Sequence, residues 1–138
     1  MIAAPAARIY ALLADYQQGH PSILPARYFK ECTVLKGGQG AGTEVAVKME
    51  VYGATVACRM TVSEPASGRV LSEEDVQAGV VTTFTVEPMG DAQARVTIAT
   101  VTTAQPGLRG WVEKMTAPGI MRRIYRAELA QMAEVVDK

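Results

Sequence analysis

The chain has 138 residues, of which 49% are apolar and 20% are charged, and its formal net charge at pH 7 is zero. Residues 1–138 suit a single domain with its own core, and the charge balance argues against a nucleic-acid partner, because general nucleic-acid binders are basic. No run approaches the ~18 consecutive apolar residues of a membrane span, and no secretory signal is evident, so we expect a cytoplasmic protein.

The N-terminal segment predicts two short helices. Pro5 suits a first helical position, and apolar residues follow it at helical spacing until Asp15 ends the pattern. Residues 17–25 then leave room for one more helical turn before Pro25 interrupts the chain.

The middle of the chain predicts an antiparallel sheet. In residues 43–52 and 54–62, apolar and polar side chains alternate strictly, which is typical of strands that are buried on one face only. Turns that contain glycine or proline separate the segments at hairpin spacing. The six strands are expected at residues 27–36, 43–52, 54–64, 69–76, 80–88 and 92–103.

The C-terminal segment predicts a long helix, because apolar residues recur three and four positions apart from Leu108 to Val136. Pro118 and Gly119 interrupt this pattern and predict a kink or a short break. Only this helix is long enough to cover the apolar face of six strands. The sequence therefore predicts an α+β fold in which a curved antiparallel sheet wraps around the C-terminal helix.

Four stretches, taken in order, also match a known pattern. They are Ile-Ala-Ala-Pro-Ala with the first helix (2–15), His-Pro-Ser-Ile-Leu-Pro (20–25), the glycine-rich segment 37–43, and the closing helix 122–136 with Tyr125, Glu128 and Leu129. Together they resemble the START-like or birch-pollen-allergen-like superfamily (SRPBCC), in its bacterial polyketide cyclase/dehydrase and lipid-transport branch. The resemblance spans the whole chain and implies a helix-grip fold with six to seven strands, two short N-terminal helices and a long C-terminal helix.

The chain departs from this family at its beginning. The family starts with a full strand, whereas only residues 1–3 remain here to form one. Either that strand is shortened or the natural chain starts earlier, and one sheet edge is then less protected. Because an unprotected edge invites pairing with another chain, a homodimer is a hypothesis.

The resemblance implies a cavity between the sheet and the C-terminal helix that takes a small hydrophobic molecule, such as a lipid, a quinone, a polyketide or an aromatic compound. Methionine and aromatic side chains suit varied apolar partners, although most such residues simply fill a core. The residues expected to bind the ligand are Tyr28, Met49, Cys58, Met60, Phe84, Ile98, Trp111 and Met115.

Candidates for catalysis are few. Strand alternation puts Glu73 and Asp75 on the opposite face from Glu74. If they pointed into the cavity, they would be available as a general acid or base, and Tyr28 is a further candidate. A charged outer face near the end of a strand is the preferred interpretation of the two carboxylates.

Metal and cofactor motifs are not evident. The one histidine, His20, is expected in a loop where it caps or packs, and no pair of His or Cys residues has zinc-ligand spacing, so no metal is expected. The glycine run 37–42 leads into a strand rather than a helix, which favours a flexible hairpin over a phosphate loop, so no cofactor is expected. Cys32 and Cys58 are expected to be free thiols.

The residues leave three functions open. The first is binding or carrying a small hydrophobic ligand. The second is a metal-free enzyme of the cyclase/dehydratase type acting in the same cavity, which two or more titratable groups converging there would favour. The third is a protein-interaction module that uses the exposed edge or the basic C-terminal helix, and a filled interior would favour it. The basic residues of that helix, for which a solvated face is the simplest interpretation, are Arg109, Lys114, Arg122, Arg123 and Arg126.

Overall fold

Six strands and three helices make up the part of the chain that the computed structural model describes, which is residues 1–51, 53–75, 79–102 and 118–136. The elements are α1 Ala6–Ala14, α2 Gly19–Ile23, β1 Phe29–Lys36, β2 Glu44–Val51, β3 Ala54–Ala66, β4 Val70–Asp75, β5 Val80–Pro88, β6 Ala94–Thr102 and α3 Pro118–Val136. The strands form one curved antiparallel sheet in the order β1-β2-β3-β4-β5-β6. The predicted α+β architecture of a sheet around a C-terminal helix is confirmed.

The register of the sheet places inward-facing side chains in rows across neighbouring strands. Cys32 of β1 lies opposite Val47 of β2, which lies opposite Cys58 of β3. These side chains are buried or half-buried, whereas Lys48, the next residue along β2, is exposed. The alternation predicted for residues 43–52 and 54–62 is therefore confirmed at these positions of β2 and β3, and the apolar side is the inner face.

Two of the strand boundaries that differ from the prediction do so for backbone reasons. β1 begins at Phe29 rather than at residue 27, because the Phe29 amide donates to the Pro25 carbonyl in a turn, at 2.9 Å. β3 continues past Pro65 to Ala66, and its pairing with β4 becomes irregular between Ser63 and Ala66. Proline has no amide hydrogen to donate, so a regular ladder cannot run through it.

The glycine-rich connection between β1 and β2 is attached to the end of α1. The Tyr16 amide donates to the Gly38 carbonyl at 2.8 Å, and the Gly40 amide donates to the Ala14 carbonyl at 2.9 Å. The hairpin that the sequence predicts to be flexible is therefore anchored by two backbone hydrogen bonds to the first helix.

The residues before α1 pair with the far edge of the sheet through a single bridge. Ile2 and Ala94 exchange two backbone hydrogen bonds, of 2.8 and 2.9 Å. Beyond this bridge, β6 has no strand on its outer side among the described residues, and Val101 is 64% exposed. A homodimer through this edge stays a prediction.

The described part of α3 begins at Pro118, where the sequence predicts a kink or a break, and proline is well suited to the first turn of a helix. Ile124, Glu128 and Met132 are buried at a spacing of four residues, so one stripe of the helix faces the core. The exposed basic residues of the helix are Arg122, Arg123 and Arg126. No described helix is long and apolar enough to cross a membrane.

Replacing Gly40 by alanine should destabilise the protein more than the same change at Gly68. Both glycines have positive φ angles, 58° and 85°, so alanine is strained at either position by about 1–2 kcal/mol. A β-carbon at Gly40 would lie 2.2 Å from Oε1 of Glu64, whereas nothing lies within 4 Å at Gly68.

The Glu64 carboxylate is held in place, because Oε1 accepts a hydrogen bond from the Ala41 amide at 2.8 Å and Oε2 accepts one from the Tyr10 hydroxyl at 2.6 Å. Displacing it should add about 1–3 kcal/mol to the loss in Gly40→Ala. Urea unfolding of the two variants measures the difference, and equal losses would contradict the expectation.

Candidate functional site

A cavity lies between the inner face of the sheet, α2 and α3. Its volume is about 90 Å³, roughly three times the ~30 Å³ that one water molecule takes up in the liquid. Its apolar wall comes mainly from the inner face of β1, β2 and β3. The side chains of that wall are Phe29, Cys32, Val45, Val47, Met49, Cys58 and Met60.

The predicted ligand-binding residues fall into three groups. Those that line this cavity are Met49, Cys58, Met60 and Phe84. Tyr28 is buried but precedes β1, and Phe29, the first residue of that strand, lines the cavity in its place. Ile98 lies on β6, paired with Phe84 and one strand further out. Trp111 and Met115 lie outside the described residues.

β4 contributes two carboxyl groups to the cavity. Glu73 and Asp75 are each 8% exposed and line it, whereas Glu74 between them is exposed. The preferred sequence interpretation, a charged outer face, is therefore wrong for this pair. Glu73 lies opposite Val62 of β3 and Thr82 of β5, so the register that buries Val62 in the core turns the Glu73 carboxyl inward as well.

A hydrogen-bonded cluster from the N-terminal helices holds Glu73. The Tyr16 hydroxyl donates to Oε2 of Glu73 at 2.7 Å. Burial raises the pKa of the Tyr16 phenol far above its ordinary value, and the Glu73 carboxylate raises it further, so the phenol remains a donor.

His20 completes this cluster. Its ring stacks on Tyr16 with 4.4 Å between the ring centroids, and its Nε2 lies 3.5 Å from Oε2 of Glu73. Its Nδ1 donates to the Leu13 carbonyl at 2.8 Å, which fixes the orientation of the ring. When Nε2 also carries a proton, the contact with Glu73 is an ion pair.

Glu128 of α3 is the least compensated polar group of the described wall. It is 3% exposed, and its Oε2 has no hydrogen-bond partner in the described ranges. Burial raises the pKa of Glu128 well above its ordinary value, and the negative charge of Glu73 raises it further. This carboxyl therefore keeps its proton to a higher pH than an exposed glutamate does.

Two thiols and a phenol add weaker polar groups to the wall. Cys32 and Cys58 are free, as the sequence predicts. Burial raises the pKa of Cys58 to about 11, and the neighbouring Asp75 adds to this shift, so little of the reactive thiolate is present at neutral pH. The Tyr125 hydroxyl of α3 is hydrogen-bonded to Oγ1 of Thr100. Within the described ranges, no group of three or more His, Cys, Asp or Glu side chains could hold a metal ion.

Tyr16, His20 and Glu128 are among the groups of the cavity wall that the sequence-based candidates do not include. The sequence places His20 in a loop, and this is wrong, because the residue lies in α2 with an exposure of only 2%. For Glu128 a signal does exist in the sequence. Ile124, Glu128 and Met132 are four residues apart, which places a carboxyl in the middle of the buried stripe of the helix.

A largely apolar cavity between a curved sheet and a long helix defines a ligand-binding domain of the helix-grip class. The family described as polyketide cyclase/dehydrase and lipid transport matches residues 1–137, nearly the whole chain. The chain therefore belongs to this family.

Solved structures share the same architecture. The KanY protein, solved in solution, is 32% identical, with a TM-score of 0.82 over 99% of this chain and 92% of KanY. A START superfamily protein from Mycobacterium smegmatis is 17% identical, with a TM-score of 0.74 over 97% of this chain and 93% of that protein. The Zhui aromatase/cyclase from Streptomyces sp. R1128 is 21% identical, with a TM-score of 0.67 over 99% and 88%. No curated protein matches the chain.

Replacing Glu128 by glutamine should stabilise the protein increasingly as the pH rises. Because the pKa of Glu128 in the folded protein lies well above its ordinary value of 4.5, the unfolded chain releases this proton first. The contribution of the group to stability is full below about pH 4.5 and is lost as the pH rises through the raised pKa. Glutamine does not ionise, so the free energy of unfolding should exceed that of the unmodified protein by about 1–3 kcal/mol at about pH 8.

Chemical denaturation at several pH values measures this trend. The matched control is Glu134→Gln, since Glu134 is exposed on the same helix and should show no comparable trend. A stability difference for Glu128→Gln that does not change with pH would contradict the expectation.

Proposed function

We propose that this protein binds or carries a small hydrophobic molecule in the cavity between the sheet and α3. The observation that carries the proposal is the apolar wall of β1, β2 and β3, which borders an unfilled space among the described residues. Met49 and Met60 in that wall are unbranched and polarizable, so they adapt to ligands of different shape. A lipid, a quinone, a polyketide or an aromatic compound fits this chemistry, and membership in a family named partly for lipid transport supports it.

The polar groups of the cavity would orient such a ligand. Glu73 and Asp75 lie on the sheet side and Glu128 lies on α3, so a ligand between the two elements meets carboxyl groups from both. Sites of this kind combine a mostly apolar surface with a few polar groups that set the orientation of the ligand.

A second candidate is an enzyme of the cyclase/dehydratase type. What favours it is the convergence of several titratable side chains on one cavity, namely Glu73, Asp75 and Glu128 with His20 beside them. Dehydration of a β-hydroxy carbonyl compound needs a base that removes a proton from carbon and an acid that protonates the departing hydroxyl, which leaves as water. Glu73, held by Tyr16 and His20, suits the base, and Glu128 suits the acid because burial keeps it protonated to higher pH.

The interaction-module hypothesis has less support. It predicts a small or filled interior, whereas the described residues leave a cavity. Its remaining basis is the exposed edge of β6 and the exposed face of Arg122, Arg123 and Arg126 on α3. A solvated surface explains that basic face equally well.

A bound ligand should protect the two cavity thiols from alkylation. The chain has two cysteines in total, and both Cys32 and Cys58 line the cavity. Occupation should slow their labelling by N-ethylmaleimide at least about tenfold, because the reagent must enter the same space. Intact-mass spectrometry over time measures both rates, and Cys32→Ser and Cys58→Ser assign them separately.

Labelling in urea is the control, since the unfolded chain should react equally fast with and without ligand. The binding proposal fails if native mass spectrometry of the purified protein shows no carried ligand and a panel of lipids, quinones and aromatic compounds leaves both labelling rates unchanged.

The enzyme candidate predicts that the protein accelerates loss of water from a soluble thioester of a β-hydroxy or poly-β-keto acid. Mass spectrometry of the product detects the loss, and the rate should fall at least about tenfold in Glu73→Gln, which keeps the shape of the side chain but removes the base. Glu74→Gln is the matched control, because Glu74 is exposed on the same strand. A rate equal to the spontaneous reaction across such thioesters would remove this candidate and leave the binding proposal intact.

A further inference from the structure

The ionisable groups of the cavity are unbalanced in charge. Three carboxyl groups line it, from Glu73, Asp75 and Glu128, and apart from His20 no basic side chain of the described residues does so. The arginines of α3 do not correct the imbalance, because those at positions 122, 123 and 126 are exposed to solvent. The described wall therefore offers acceptors and negative charge to a ligand, and little positive charge.

Among the described residues, Glu128 is the cavity carboxyl that lacks a counter-charge. Its side chain is buried and lines the cavity, and its Oε2 has no hydrogen-bond partner in the described part of the chain. A buried carboxyl without a partner destabilises the folded protein, and the penalty is larger when it is ionised. Glu73 differs, because the Tyr16 hydroxyl already donates to it. A ligand that donates hydrogen bonds and carries positive charge would supply what Glu128 lacks.

Aromatic rings around the same space point to the same ligand chemistry. Tyr16, Phe29, Phe84 and Tyr125 all line the cavity, and they come from the N-terminal segment, two strands and α3. The faces of such rings attract ammonium groups, most strongly where water is excluded. Rings and carboxyl groups together are the usual surroundings of a bound organic cation.

We infer that the cavity takes a monocationic amine carried on a small aromatic or alkyl body, with the ammonium against Glu128 and Glu73 and the body against the methionine-containing wall of β2 and β3. This inference rests on the proposed binding function and narrows its ligand class. An ammonium offers charged donors to the carboxyl groups, whereas an alcohol offers one uncharged donor and a carboxylate ligand adds like charge.

Three probes of similar size separate these cases: phenethylamine, phenethyl alcohol and phenylpropanoate. Calorimetric titration of the unmodified protein at about pH 7.5 should give at least about tenfold tighter binding of the amine than of the alcohol, and the weakest binding for the carboxylate. In Glu128→Gln the amine should lose at least about tenfold in affinity while the alcohol changes little. Glu134→Gln, at an exposed position of the same helix, should retain the preference.

The outcomes distinguish this inference from the function on which it rests. If the alcohol or the carboxylate binds as tightly as the amine, the inference is wrong and the binding proposal stands. If none of the probes binds or slows labelling of Cys58, and the wider ligand panel is also inactive, both fail. Even if Glu128→Gln does not fold, the affinities of the unmodified protein for the amine, the alcohol and the carboxylate test the inference.

Discussion

The hydrogen bond from the Tyr16 hydroxyl to the Glu73 carboxylate joins the N-terminal helices to the sheet. The two residues lie 57 positions apart and the bond is buried, so losing either partner would leave the other unsatisfied in the interior. The same contact brings the His20 ring against Tyr16 and its Nε2 toward Glu73. The packing of α2 and the arrangement of the polar cavity wall therefore share this interaction, and Gln131 of α3 adds a hydrogen bond to the Ser22 carbonyl of α2.

Two glutamates of this chain show how environment separates a structural carboxylate from a candidate functional one. Hydrogen bonds from the Tyr10 hydroxyl and the Ala41 amide lower the pKa of Glu64, which fastens the glycine-rich connection. Burial raises the pKa of Glu128, and no donor in the described residues compensates it. Hydrogen bonds within the fold stabilise the charged form of Glu64. The described residues provide no such hydrogen bond to Oε2 of Glu128. This difference makes Glu128 of α3, rather than the loop-anchoring Glu64, the candidate functional carboxyl.

The sequence predicts the sheet better than it predicts the site, and β4 shows why. Alternation separates Glu73 and Asp75 from Glu74 but does not say which face is inside. One apolar residue in phase with the first pair, Leu71, carries that information, and it is fully buried. If the solvent-facing side of β4 is assigned from its charged residues, Glu73 and Asp75 are placed outside; Leu71 correctly places them inside. Helix α3 is similar, because the regular apolar spacing hides a carboxyl within the buried stripe.

Irregular strand pairing limits site prediction in a second way. Successive residues of a regular strand face opposite sides, and an irregularity changes which side chain faces the cavity. The pairing of β1 with β2 shifts register between Phe29 and Glu31, and Phe29 lines the cavity whereas the predicted Tyr28 does not. Neither this shift nor the turn in which the Phe29 amide donates to the Pro25 carbonyl is revealed by composition and alternation. An error of one residue in assigning the inner face of a strand changes the predicted fold little, but it changes which side chain is predicted to line the site.

The Glu128 carboxyl, whose Oε2 has no hydrogen-bond partner among the described residues, constrains any function assigned to the cavity. A glutamine or an apolar residue at this position would remove the penalty of a buried ionisable group, and the recurrent cost of such stabilising changes is lost function where a site needs a destabilising group. An acid that donates its proton during catalysis and a carboxylate that receives a cation both use the group, but in opposite charge states. In the first case burial helps directly, because it keeps the proton on the carboxyl. When the carboxylate receives a cation, the ligand must offset the cost of ionising a buried group. A cation held between Glu128 and Glu73 stabilises the charged form of both carboxyl groups.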